Sequence, residues 1–88
     1  MEEQYVYLIR LIKDDYVQPH TTAFVEERVA REYFRKDIKY YHQRGWSVDE
    51  EEVSCGVNVI RRATMTKKSD DGYEQATLVL EQFPVIKN

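Results

Sequence analysis

Two histidines, one cysteine and sixteen carboxylates are the side chains here that could make or break bonds or hold a metal. Nucleophilic catalysis needs a nucleophile with a base within hydrogen-bond reach. His20 precedes the segment that reads as a helix and His42 lies near that segment's end, so about 33 Å of helix separates the two bases. His42 falls on a basic, solvated stripe, and His20 falls in an entry loop beside Thr21 and Thr22. Cys55, the single thiol, has no partner for an internal disulfide and sits at an apolar-phase position, where a small buried hydrophobe is expected. Two distant histidines and one such cysteine do not give a metal three or four convergent ligands.

The carboxylates are no more promising. Residues 49–52 are four acids in a row, without the glycine or the ligand spacing of a calcium loop, and read as a solvated run. Glu26 and Asp37 would lie about 16 Å apart along a helix, too far for an acid–base dyad. Gly45, Gly56 and Gly72 read as a turn, a strand position and a hairpin, and none forms a phosphate cradle. The expectation is a non-enzymatic chain with no catalytic, cofactor or metal site. No motif identifies a family.

Recognition surfaces are easier to find. Residues 22–45 read as one long helix, with Thr21 or Thr22 as N-cap, Glu27–Arg31 and Glu32–Lys36 as i,i+4 pairs, and Gly45 as the stop. At roughly 100° per residue, Arg28, Arg31, Arg35, Lys39 and His42 make a basic stripe. Val25, Val29, Tyr33 and Tyr40 form one apolar band, and Ala30, Phe34, Ile38 and Tyr41 form another. A helix resting on one sheet needs only one such band. Asp37 stands between Tyr33, Tyr40, Tyr41 and Ile38, where partial burial would call for Arg44 or a second subunit as partner. Tyr33, Asp37, Tyr40, Tyr41 and Trp46 are therefore the expected partner-binding residues. Arg28, Arg31, Arg35 and Lys39 are the expected anion or nucleic-acid contacts under the alternative of a nucleic-acid-binding regulator, joined by Arg61, Arg62, Lys67 and Lys68.

The remaining elements must carry that helix. Residues 4–13 read as a strand apolar on both faces, residues 53–65 as an alternating half-buried strand, and residues 73–83 as its return after a hairpin at Asp71-Gly72. The expected fold is α+β, in the order β-α-β-β: a three-stranded, mostly antiparallel sheet with one helix on one face, forming a single small domain over 1–88. The first and last strands would be neighbours. The sheet's other face would stay open, and a symmetric homodimer through that face or through the second helix band is the simplest cover.

Composition agrees with a binding role. A net charge of −3 disfavours general nucleic-acid or anionic-membrane binding. Seven tyrosines, three phenylalanines and one tryptophan are many for 88 residues, and tyrosine suits surfaces packed on one side and wet on the other. The start, Met1-Glu2-Glu3, lacks the basic and apolar regions of a signal peptide, so a cytoplasmic protein is expected. Short acidic chains of this kind are frequent among phage and mobile-element proteins that bind a host protein, which makes such an origin the matching expectation. The partners expected are a second copy of the chain and a protein, with nucleic acid less favoured and no membrane.

Overall fold

A long β-hairpin forms the spine of the molecule. In this computed structural model, which describes residues 4–13, 16–17, 22–53 and 58–85, the elements are β1 (Tyr5–Lys13), β2 (Tyr16–Val17), β3 (Thr22–Phe24), α1 (Glu27–Gln43), β4 (Ser47–Glu52), β5 (Val59–Ser69) and β6 (Gly72–Pro84). Strands β5 and β6 pair from Ser69 opposite Gly72 back to Val59 opposite Glu81. Gly72 turns the chain at φ +131°, where a side chain would be strained, and the Ser69 hydroxyl donates to the Gly72 carbonyl at 3.2 Å. A register shift between Val59 and Arg61 marks a bulge near the hairpin's base.

The first strand pairs with the last over eight residues, from Tyr5 opposite Pro84 to Ile12 opposite Thr77, all antiparallel. The free edge of β1 takes both β2 and β3, so six strands make five lanes in the order β2/β3, β1, β6, β5, β4. The three-stranded sheet expected from the sequence is therefore replaced by a five-stranded antiparallel one, and the chain is mostly sheet. Three segments account for the difference. Residues 16–17 and 22–24 supply the outer lane where a linker and a helix start were expected, and residues 47–52 supply β4 where only a solvated acidic run was expected.

The helix is correspondingly shorter. Thr22, Ala23 and Phe24 pair with Ile9, Leu8 and Tyr7 of β1, and the helix begins at Glu27 behind an extended Glu26 that forms no side-chain cap. Pairing to an open strand edge satisfies backbone groups that an N-terminal helical turn would leave free, and so overrides the Thr22 capping signature. At the other end Arg44 closes the helix and Gly45 turns at φ +90°, as its position implied.

One face of the sheet meets α1. Its core contains Tyr7 and Ile9 of β1, Ala76, Leu78 and Leu80 of β6, and Ala63 and Met65 of β5, with Ala30 and Phe34 of the helix and Trp46 beyond it. Phe34, Met65 and Leu80 are the largest side chains wholly enclosed. Ile38, Tyr41 and Phe24 pack around them half-buried. No described element packs on the opposite face of the sheet. The layer is thin for its length: the radius of gyration is 14.3 Å, against about 12 Å for a compact domain of this size. Among the described residues, no helix is long and apolar enough to cross a membrane. His20, Thr21, Cys55 and Gly56 lie outside the described residues.

Candidate interaction surfaces

The alternation of the strands fixes which residues lie on the helix-free face, where Val79 and Glu81 are buried and their neighbours half-buried. On β1 these residues are Val6, Leu8, Arg10 and Ile12, and on β6 they are Thr77, Val79, Glu81 and Phe83, because each lies one step from a core residue. The register sets Val6 beside Phe83, Leu8 beside Glu81, Arg10 beside Val79 and Ile12 beside Thr77. Val79 also faces Arg62 of β5, and Glu81 faces Val59. The β1–β6 half of this face is thus largely aliphatic and aromatic. The β5–β4 half is polar, with Arg62, Thr64 and Thr66 opposite Glu51, Asp49 and Ser47.

One ion pair crosses the aliphatic half. Arg10 grips Glu81 with both forks of its guanidinium, through Nε to Oε1 and through Nη2 to Oε2 at 3.0 Å. The Glu81 side chain is only 7 % exposed, whereas Arg10 keeps 36 %. Such a bidentate pair satisfies the carboxylate within the chain. It also aligns the stem of Arg10 among apolar neighbours.

On the helical side, a charge ladder consumes much of the basic stripe. Arg31 binds Glu27 at 3.0 Å and reaches Glu52 of β4 at 3.0 Å. Glu52 is shared with Arg61, which also binds Glu50 at 3.1 Å. The two guanidinium groups hold the Glu52 carboxyl below the ordinary glutamate range, chiefly through the hydrogen bonds from Arg31 and then from Arg61. Arg31 is itself partly desolvated, which opposes its charge, yet the bonds to Glu52 and Glu27 raise its pKa. Arg28 is held by Glu32 at 2.9 Å, and Arg62 by Glu51 at 2.7 Å on the other face of the sheet. Arg28, Arg31, Arg61 and Arg62 therefore meet carboxylates of this chain. Arg35 and Lys39 are exposed and meet no carboxylate among the described residues. The acids at 50–52 act as the cross-strand and sheet-to-helix partners of these arginines.

The five residues expected to meet a partner separate into three environments. Trp46 is buried in the core, with Tyr41 edge-on to it at 6.1 Å between ring centres. Tyr33 is exposed and tilted against Phe24 at 5.1 Å, and Lys36 lies 4.9 Å over its ring. Asp37, Tyr40 and Tyr41 come together at a cleft of about 370 Å³ beside the C-terminal half of α1. Its remaining walls are Ile9 and Leu11 of β1, Leu78 of β6 and Thr22 of β3. Arg44 stacks on the Tyr40 ring at 3.6 Å and makes no ion pair with Asp37. Burial raises the pKa of Asp37. The Tyr41 phenol is raised first by burial, then by the neighbouring Asp37 and Tyr40.

Known proteins add nothing to this geometry. The chain matches no family model, no curated protein and no solved structure.

A further surface was hidden from sequence reasoning. Val25 stands at the bend between β3 and α1 and is 83 % exposed. It separates two shallow grooves, one lined by Tyr5, Tyr7 and Val85, the other by Ala23, Phe24 and Val29. Read as the first turn of a helix, Val25 belonged to a continuous apolar band. Starting the helix at Glu27 leaves it as an isolated knob.

Proposed function

We propose that this protein acts by binding, as a small homodimerising module that also engages a protein partner, with the β1–β6 half of the helix-free sheet face as the dimer interface. One observation carries this reading. Val6, Leu8, Ile12 and Phe83 stay half-buried around the buried Val79 on two adjacent central strands, on a face that no described element covers. An antiparallel sheet with one solvated face ordinarily alternates apolar and polar residues. β1 is apolar on both sides, as β4 and β5 are not.

The dimensions suit a symmetric contact. Two strands spaced by about 4.8 Å and eight residues rising about 3.3 Å each give an apolar strip of roughly 250 Å² before side-chain relief is counted, the centre of a contact whose rim would be the polar β5–β4 half. A standard interface buries about 800 Å² per partner. A two-fold axis through the face would place the same aliphatic rows of both copies in register. The Arg10–Glu81 pair, already closed within each subunit, lowers the desolvation cost of covering that face. The sheet edges are less suitable, because β4 carries Asp49, Glu50, Glu51 and Glu52 and the opposite edge is split between β2 and β3.

The carboxylate partners of Arg28, Arg31, Arg61 and Arg62 favour this reading over a nucleic-acid interface on the helix stripe. Sedimentation equilibrium of the wild-type chain tests it, with Leu8→Glu and Val25→Glu beside it. The reading expects a dimer that Leu8→Glu dissociates, by setting a carboxylate opposite Glu81, while Val25→Glu stays dimeric. Dissociation by Val25→Glu alone would move the interface to the helix start and overturn the sheet-face assignment.

A further inference from the structure

The cleft at Asp37 lies on the other side of the sheet from the proposed interface, and its chemistry points to a different kind of ligand. Three observations meet there. Asp37 is half-buried and forms no hydrogen bond or ion pair among the described residues. Arg44 at the C-cap, the partner expected for it, is directed onto the Tyr40 ring instead. Beside the carboxylate the floor is aliphatic, made by Ile9, Leu11 and Leu78, and the rim carries the hydroxyl-bearing side chains Thr22, Tyr40 and Tyr41.

A partly desolvated carboxylate without a partner costs stability. Elsewhere in this chain the enclosed acid Glu81 and the ladder acids Glu50, Glu51 and Glu52 have been given arginines. Asp37 has not. We infer that the Asp37 cleft binds a primary alkylammonium group, of the kind a lysine side chain carries. Its methylene stem would lie on Leu11 and Leu78, and its ammonium would meet the Asp37 carboxylate between the tyrosine rings. An ammonium offers three donors to one carboxylate and to neighbouring hydroxyl oxygens. A single carboxylate above an aliphatic floor suits the point charge and unbranched stem of an alkylammonium, whereas the flat fork of a guanidinium is matched by bidentate partners such as Glu81 with Arg10. An anion is disfavoured by Asp37 itself, and a purely apolar ligand would leave that carboxylate desolvated and unpaired.

The probe is n-butylammonium chloride, titrated into the ¹⁵N-labelled full-length chain and followed by amide shifts, with sodium chloride and n-butanol as matched controls. The expected result is a saturable response centred on Asp37, Tyr40, Tyr41 and Leu78, half-complete near ~10 mM or below, the strength that a five-atom ligand can reach. Asp37→Asn should weaken it about tenfold or more, with the remaining spectrum reporting that the fold is intact. A response that does not saturate, that n-butanol or sodium chloride reproduces, or that survives in Asp37→Asn overturns the assignment. Because the readout is local to the cleft, its outcome is independent of whether the sheet face dimerises.

Discussion

Arg10 and Glu81 lie diagonally across β1 and β6 and close a two-point ion pair in the middle of an otherwise aliphatic sheet face. Arginine's fork geometry matches a carboxylate in this way, and lysine's point charge does not. The pair settles how a charged residue is tolerated on the apolar side of a central strand.

Removing one partner should cost more than removing both. Glu81→Ala leaves Arg10 without its counter-ion and is expected to destabilise the fold by about 2–3 kcal/mol, less than for a fully enclosed pair because Arg10 stays partly wet. Arg10→Met combined with Glu81→Leu should fall within about 1 kcal/mol of wild type. Urea denaturation of Arg10→Met, Glu81→Leu and the double variant gives the coupling directly.

Glu52 makes stability depend on acid pH. Its carboxyl is held below the ordinary value of about 4.5 by Arg31 and Arg61. Between the folded and unfolded pKa values the unfolded chain binds more protons, so stability rises with pH there. The contribution is present above the unfolded value and is lost as pH falls through the folded one. Glu52→Gln should therefore flatten the stability profile below about pH 4.5, read by thermal melting across acid buffers. An unchanged slope would mean that the carboxylate does not bridge helix and sheet in solution.

Asp37 should behave in the opposite sense. Burial lifts its pKa above the ordinary value of 3.8, so the folded state holds the proton more readily than the unfolded one. That stabilisation is complete below the unfolded value and is lost as pH rises through the folded pKa. Asp37→Asn, which cannot ionise, is expected to be more stable than wild type at neutral pH by a few tenths of a kcal/mol, up to about 1. The advantage should vanish toward pH 3. Paired melts at the two pH values check it, and a variant less stable at neutral pH would contradict an unpartnered carboxylate there.

The alternation of Ala76, Leu78 and Leu80 already marks a core-facing strand, and the adjacency of first and last strands follows from their shared aliphatic character. The helix interior is equally legible, since Ala30, Phe34, Ile38 and Tyr41 fall on its packed side. Two features are decided by long-range pairing and leave a weak local signal. Thr22-Ala23-Phe24 resembles a helix entry until the free edge of β1 offers it a ladder. Four consecutive acids are poor strand formers by propensity. The legible clue was further along the chain: Arg61 and Arg62 complement Glu52 and Glu51 when the two segments run antiparallel. Of the site residues, Asp37, Tyr40 and Tyr41 share one cleft, as their helical spacing allows, whereas the ring of Trp46 lies in the core.

Sedimentation equilibrium over a wide concentration range bears most directly on the role of the uncovered β1–β6 surface. A mass of about twice 10.6 kDa, returning to 10.6 kDa when Leu8 becomes glutamate, is the predicted result. A wild-type chain that sediments at 10.6 kDa up to high micromolar concentration would contradict it, because those aliphatic rows would then be stable without a second copy upon them.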